Sequence, residues 1–204
     1  MTIVEMLIAM ACFMFLIAAV VSIQLFAVRI YQLAGTKLTA TEDGRKTINF
    51  IREQVQEAKK IYIGTYSGTN GVPGGFTAVD LTNQIGGALL IFPTTNLTYG
   101  TIFYQDPSSS NLCSVLITNA TVDAYGDATG TITSYATNAL FVTNNLCFQA
   151  EDYQGNVLSN NSNNRIIHVT LQFSQLEYPV AGIGAGALYD YYELHTRATR
   201  RTID

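Results

Sequence analysis

The pattern of apolar and polar positions changes twice along the chain. Residues 1–28, MTIVEMLIAMACFMFLIAAVVSIQLFAV, are apolar on every face. Glu5 is the one charged side chain there, and Thr2, Ser22 and Gln24 are weakly polar. Such a run predicts a helix about 42 Å long at about 1.5 Å per residue, enough to cross a hydrocarbon core of about 30 Å. A soluble helix is rarely apolar all round for so long. A secretory signal peptide would carry a basic start, a shorter apolar core and a small-residue cleavage site. Here an acid stands at position 5, and the first basic residue is Arg29.

From Arg29 the apolar surface narrows to a stripe. Ile48, Ile51, Val55 and Ala58 fall at spacings of three, four and three, one face of an amphipathic helix. Residues 29–60 hold eleven of the 26 charged side chains and no proline. Glu42 with Lys46, and the i, i+4 carboxylates Glu53 and Glu57, lie on the wet side. Gly35 and Gly44 each weaken a helix by about 1 kcal/mol relative to alanine, which marks them as expected soft points. The pattern predicts one helix from about residue 2 to 60.

Beyond residue 60 the period shortens. ALLIF (88–92), TIFYQ (101–105), SVLIT (114–118) and LFVTNNLCFQA (140–150) are candidate strands. The clearest is RIIHVTLQFSQLEY (165–178), where Ile167, Val169, Leu171 and Phe173 alternate with His168, Thr170, Gln172 and Ser174. A last strand is expected near 187–197. Turn signals lie at 69–75, 105–111, 125–130 and 153–156, and SNNSNN (159–164) reads as a polar hairpin loop. The expected fold class is α+β: a long N-terminal helix, with a membrane-spanning half and an amphipathic half, packed on an antiparallel β-sheet domain. The expected divisions are 1–28, 29–60 and a β-rich head at 61–204.

Composition sharpens this reading. The 48% hydrophobic content combines a membrane-length helix with an ordinary sheet domain, and the 13% charge is concentrated between them. A formal net charge of −4 offers no basic face for phosphates, so no nucleic-acid binding is evident. Low charge and high apolarity argue against disorder.

A lone carboxylate near the start of an apolar span raises a specific question. An unpaired charge in lipid costs at least about 2.5 kcal/mol and tends to need a partner. The nearest cation is an α-amino group, its own or that of a neighbouring subunit. The neighbour's amine would impose a one-subunit stagger, and a repeated heterologous contact builds an open filament. The alternative is that Glu5 sits at the membrane edge.

MTIVEMLIAM resembles the mature N-terminus of type IV pilins and type II secretion pseudopilins. Those chains begin with a hydrophobic residue, then a small or hydroxyl residue, then a Glu in fifth place, before an apolar helix with an amphipathic continuation. Met1, Thr2, Ile3, Val4, Glu5, Met6, Leu7 and Ile8 fit. The resemblance implies that a prepilin peptidase exposes Met1 and that its amine is N-methylated. It implies residence in the inner membrane, then export by an assembly machinery into an extracellular filament of copies of the same chain, with Glu5 pairing to an adjacent amine. More loosely, 139–156 and 193–201 are similar to the later strands of larger minor pilins and pseudopilins, so a capping or priming subunit is the alternative. Many major pilins carry Gly near position 14 and Pro near 22; this chain has Met14 and Ser22.

Export would favour oxidation, which makes Cys113 and Cys147 candidates for a disulfide; two free buried thiols are the alternative. Cys12 reads as a small packing residue of the helix. The acidic turns around Asp123, Asp127, Glu151 and Asp152 do not have EF-hand spacing and read as solvated turns, so no metal is expected. His168 and His195 are the only histidines, and no nucleophile elbow accompanies them. GIGAG (182–186) lacks the lysine of a phosphate-binding loop and reads as a hairpin tip. No enzymatic activity and no cofactor are expected. An electron-conducting fibre is disfavoured because haem-attachment spacing is absent and the twelve tyrosines suit a sheet.

Overall fold

The computed structural model describes residues 2–69, 74–79, 81, 83–140, 142–176 and 189–201. One helix, α1, runs Ile3–Glu57. Among the described residues ten strands follow: β1 Lys60–Tyr66, β2 Phe76–Ala78, β3 Ile85–Gly86, β4 Ala88–Phe92, β5 Tyr99–Asp106, β6 Asn111–Val122, β7 Ala128–Ala139, β8 Phe148–Glu151, β9 Ile166–Leu176 and β10 Tyr189–Thr199. The α+β class is as expected. Two compact units are present, the first holding the helix as far as Thr39 and the second beginning at Ala40.

Within the second unit the strands form two sheets. A closed barrel has the order β1-β2-β7-β6-β5-β4, and a four-stranded sheet has the order β10-β9-β8-β3. The barrel closes because β1 pairs antiparallel with both β4 and β2; Gly64 stands opposite Ala88 on one side and Ala78 on the other. A Cβ on Gly64 would lie 2.0 Å from the Thr77 carbonyl oxygen, so only glycine fits this crossing.

The run ALLIF forms β4, buried at all five positions because both faces are covered. Leu90 and Phe92 join Tyr62, Ile102 and Val115 in one core cluster. Leu89 and Ile91 join a second cluster with Ile51, Val55 and Ala58 at the end of α1 and with Ile167, Val169 and Leu171 of β9. The helical stripe and the strand alternation therefore meet in one seam between the barrel and the second sheet.

The helix is continuous through Gly35 and Gly44. Gly44 is a contact point rather than a soft point: an added Cβ would lie 2.9 Å from Leu194 Cδ1 and 3.1 Å from Phe173 Cζ. Its missing side chain lets the helix approach β9 and β10. Thr47, three residues on and also buried, donates its hydroxyl to the Asn138 carbonyl. At the C-terminal end, Arg201 N donates to the Gln56 carbonyl, and Arg200 Nη1 donates to the carbonyl of Lys59, just beyond the helix. The Gln56 bond satisfies a carbonyl that a helix leaves open in its last turn.

Several boundaries differ from expectation. Among the described residues of 140–150, only Phe148–Ala150 belongs to a regular strand, while Val142 makes an isolated bridge with Phe173. The expected turn at 125–130 ends earlier, since Ala128 already opens β7. The SNNSNN loop contains a short 3-10 turn, Asn161–Asn163, capped by the Asn160 side chain. Part of the 69–75 turn, residues 177 and 178, residues 187 and 188, and the 182–186 glycine run lie outside the described residues.

Candidate functional site

Met1, expected to be the processed and methylated residue, lies outside the described residues. Thr2 N donates to Glu5 Oε2 at 2.8 Å, and Glu5 N donates to Thr2 Oγ1 at 3.4 Å. This reciprocal pair is a capping box, which satisfies two backbone donors that a helix start leaves open. Its signature, Thr-x-x-Glu before an apolar run, is local and stands in the sequence as Thr2 and Glu5. The cap gives Glu5 a local task. It uses one of about four acceptor positions on a carboxylate, so it is compatible with pairing to an amine.

Beyond the cap, Ile3–Tyr31 form a 29-residue helical span with none of its residues buried. A core helix of a soluble protein would be covered. This one is long and apolar enough to cross a membrane and carries its own polar satisfaction: Ser22 Oγ donates back to the Ala18 carbonyl at 2.8 Å. The helix runs unbroken through Met14 and Ser22.

The expected Cys113–Cys147 disulfide is not formed; both residues are buried free thiols. They occupy separate cores. Cys113 belongs to the cluster of Leu90 and Phe92, with its sulfur 3.1 Å from Tyr135 Oη. Cys147 belongs to the seam and donates to the Asn144 carbonyl at 3.1 Å. Oxidising conditions do not suffice when packing assigns the side chains to different clusters. Burial pushes the Cys147 thiol up from about 9 to about 12, and burial also raises Cys113. Neither forms much thiolate near neutral pH, so native alkylation is expected to label Cys12, which is exposed, and to spare the other two until the fold opens. Because the native pKa of Cys147 is raised, its contribution to stability is intact below about pH 9 and is lost as pH rises toward 12. Mass mapping of alkylated peptides across an alkaline series checks both statements. Rapid native labelling of Cys147 at neutral pH would refute them.

The acidic turns are built for the backbone. Asp123 Oδ1 accepts from Tyr125 N and Asp127 N, and Asp127 Oδ1 accepts from Ala78 N, tying the turn to β2. Asp152 Oδ1 accepts from Gln154 N and Asn156 N, and the Asn156 amide donates to Oδ2. The Asn156 side-chain bond, with help from the backbone donors, holds the Asp152 carboxyl below its ordinary value. Gly126 and Gly155 take the positive φ angles these turns require.

Glu151 behaves differently from its neighbour Asp152. It is buried at the end of β8, and three side chains converge on it. His168 Nδ1 lies 2.8 Å from Oε1, Gln149 Nε2 donates to Oε1 at 3.1 Å, and Arg197 Nε lies 2.8 Å from Oε2. His195 on β10 approaches His168 edge-to-face, with ring centroids 6.0 Å apart. His168, His195, Thr196 and Arg197 line an open groove of about 480 Å³. The alternation of β9 puts His168 on its outer face, whereas Glu151 reads in the sequence only as part of a turn. No local signal links residues 151, 168 and 195; strand pairing brings them together.

No protein-family model, curated protein or solved structure matches the chain.

Proposed function

We propose that the chain is a structural subunit of a type IV pilus-like extracellular filament. Its N-terminal span holds it in the inner membrane until assembly and then packs against the same span of other copies. The carrying observation is a 29-residue apolar helix, exposed along its whole length, whose first turn holds the carboxylate of Glu5. Such a surface needs lipid or similar helices around it. Exchanging one for the other costs little hydrophobic free energy, because lipid tails and apolar side chains are alike. A contact from Glu5 to the amine of the next copy would be heterologous and would propagate. The proposed role is structural rather than catalytic.

Purified surface fibres test this reading. The chain is expected as their abundant component, with an N-terminal peptide starting at Met1 and carrying an added methyl group. One or a few copies per fibre would reassign it to a capping or priming role, as in minor pilins and pseudopilins. Retention in the membrane with no fibres would overturn the reading.

A further inference from the structure

We infer that His168 and His195 form a chelating pair for a divalent transition-metal ion such as Cu²⁺, Zn²⁺ or Ni²⁺, on the outer face of the second sheet. The two imidazoles stand on β9 and β10, which are neighbours in that sheet. His168 is oriented: Nδ1 is held 2.8 Å from the buried carboxylate of Glu151. With that carboxylate accepting the Nδ1 proton, the neutral ring presents its Nε2 lone pair. This carboxylate–histidine arrangement fixes the tautomer and raises the basicity of a ligating imidazole. Ring separation is close to that needed for a single ion. A metal bound at about 2.0–2.1 Å lies about 3.2 Å from each ring centre, so N–metal–N angles of about 90–110° put two ligating rings roughly 4.5–5.2 Å apart. The observed centroid distance is 6.0 Å, and rotation of the exposed His195 side chain is the movement that closes the pair on an ion.

The surroundings set the character of the site. Among the described residues, no group of three or more His, Cys, Asp or Glu side chains is placed to hold a metal. The ion would therefore keep water in its remaining positions, in the open groove the two rings line. Arg197 shares that groove, but its guanidinium is paired with Glu151 Oε2, which offsets its charge. The donor set is imidazole nitrogen, which suits copper, nickel and zinc and does not suit calcium or magnesium. Of these, Cu²⁺ stands highest in the general affinity order and is the most sensitive probe.

The test uses the full chain in detergent, with Cys12→Ser to remove the exposed thiol, titrated with Cu²⁺ near neutral pH. One equivalent is expected to bind with an electron paramagnetic resonance spectrum showing coupling to two imidazole nitrogens. His195→Gln changes an exposed side chain and should leave the melting temperature unchanged. It is expected to weaken binding by at least about tenfold and remove one nitrogen coupling. Glu151→Gln tests positioning: affinity should fall about 10- to 100-fold while both couplings persist. Equal affinity in His195→Gln, or a wild-type spectrum without imidazole coupling, would overturn the assignment.

Discussion

Glu5→Gln is expected to abolish fibres while leaving the helix start and membrane insertion intact. The capping box accepts either Glu or Gln at its third helical position, so Gln can still receive the Thr2 N–H. Only the charge is lost. If Glu5 neutralises the amine of an adjacent copy in a dry helical core, removing it strands a buried cation at every subunit contact. Breaking a buried pair by deleting one partner costs about 3–5 kcal/mol. That is a factor of hundreds or more in each association step, enough to stop polymerisation. Thr2→Ala separates the other contribution. It removes the hydroxyl that accepts Glu5 N–H and keeps the carboxylate, so it should fray the first turn at a cost of about 1 kcal/mol and leave fibres in place. Glu5→Ala loses both and should resemble Glu5→Gln in assembly. Electron microscopy of shed fibres, with membrane fractionation of the same cells, reads the three variants together. Normal fibres from Glu5→Gln would reduce Glu5 to a cap residue and remove the pairing.

What could be read in advance followed the range of the interactions involved. Ile51, Val55 and Ala58 repeat at helical spacing, and each is buried where that spacing puts it. Ile167, Val169, Leu171 and Phe173 alternate as a strand requires, and all four are buried. Both patterns are local and periodic. Barrel closure is neither: it depends on β1 pairing with both β2 and β4, and on β2 pairing with β7, where Phe76 stands opposite Ala128 far along the chain. β7 carries no clear strand signal because threonine, serine, alanine and glycine dominate ATGTITSYATNA, which resembles the turn chemistry before it. The cysteines failed for a related reason. Spacing and compartment bear on whether thiols oxidise, but only the strand register decides which core each side chain enters. Glu151 and Asp152 are adjacent carboxylates with different surroundings, one buried among side chains and the other in its own turn. Composition treats such a pair as one feature.

The second large effect contrasts two adjacent residues of β5. Phe103→Ala is expected to destabilise the second unit by about 3–5 kcal/mol, the usual range for an aromatic ring deleted from a packed interior. Phe103 is fully buried in the seam, and its ring meets Phe50 of α1 edge-on with centroids 5.5 Å apart. Its strand is fixed on both sides, with Leu89 and Ser114 as cross-strand partners, so the wall cannot easily collapse into the space left. For a domain of this size, each kcal/mol lowers the melting temperature by about 2–4 °C, giving a drop of roughly 10 °C. Tyr104 points to the other core cluster, and its buried hydroxyl has no hydrogen-bond partner. Burial also raises its ionisation above the ordinary tyrosine range. Tyr104→Phe removes that unsatisfied group while keeping the ring, so it should be neutral or stabilising by about 1–3 kcal/mol. Thermal melts of the two variants discriminate sharply, because Phe103→Ala empties a ring-sized space in the seam whereas Tyr104→Phe keeps its ring and loses only the hydroxyl. A loss of stability in Tyr104→Phe comparable to that in Phe103→Ala would mean that the hydroxyl is satisfied in solution, and the assignment of the strand's two faces to two cores would then rest on Phe103 alone.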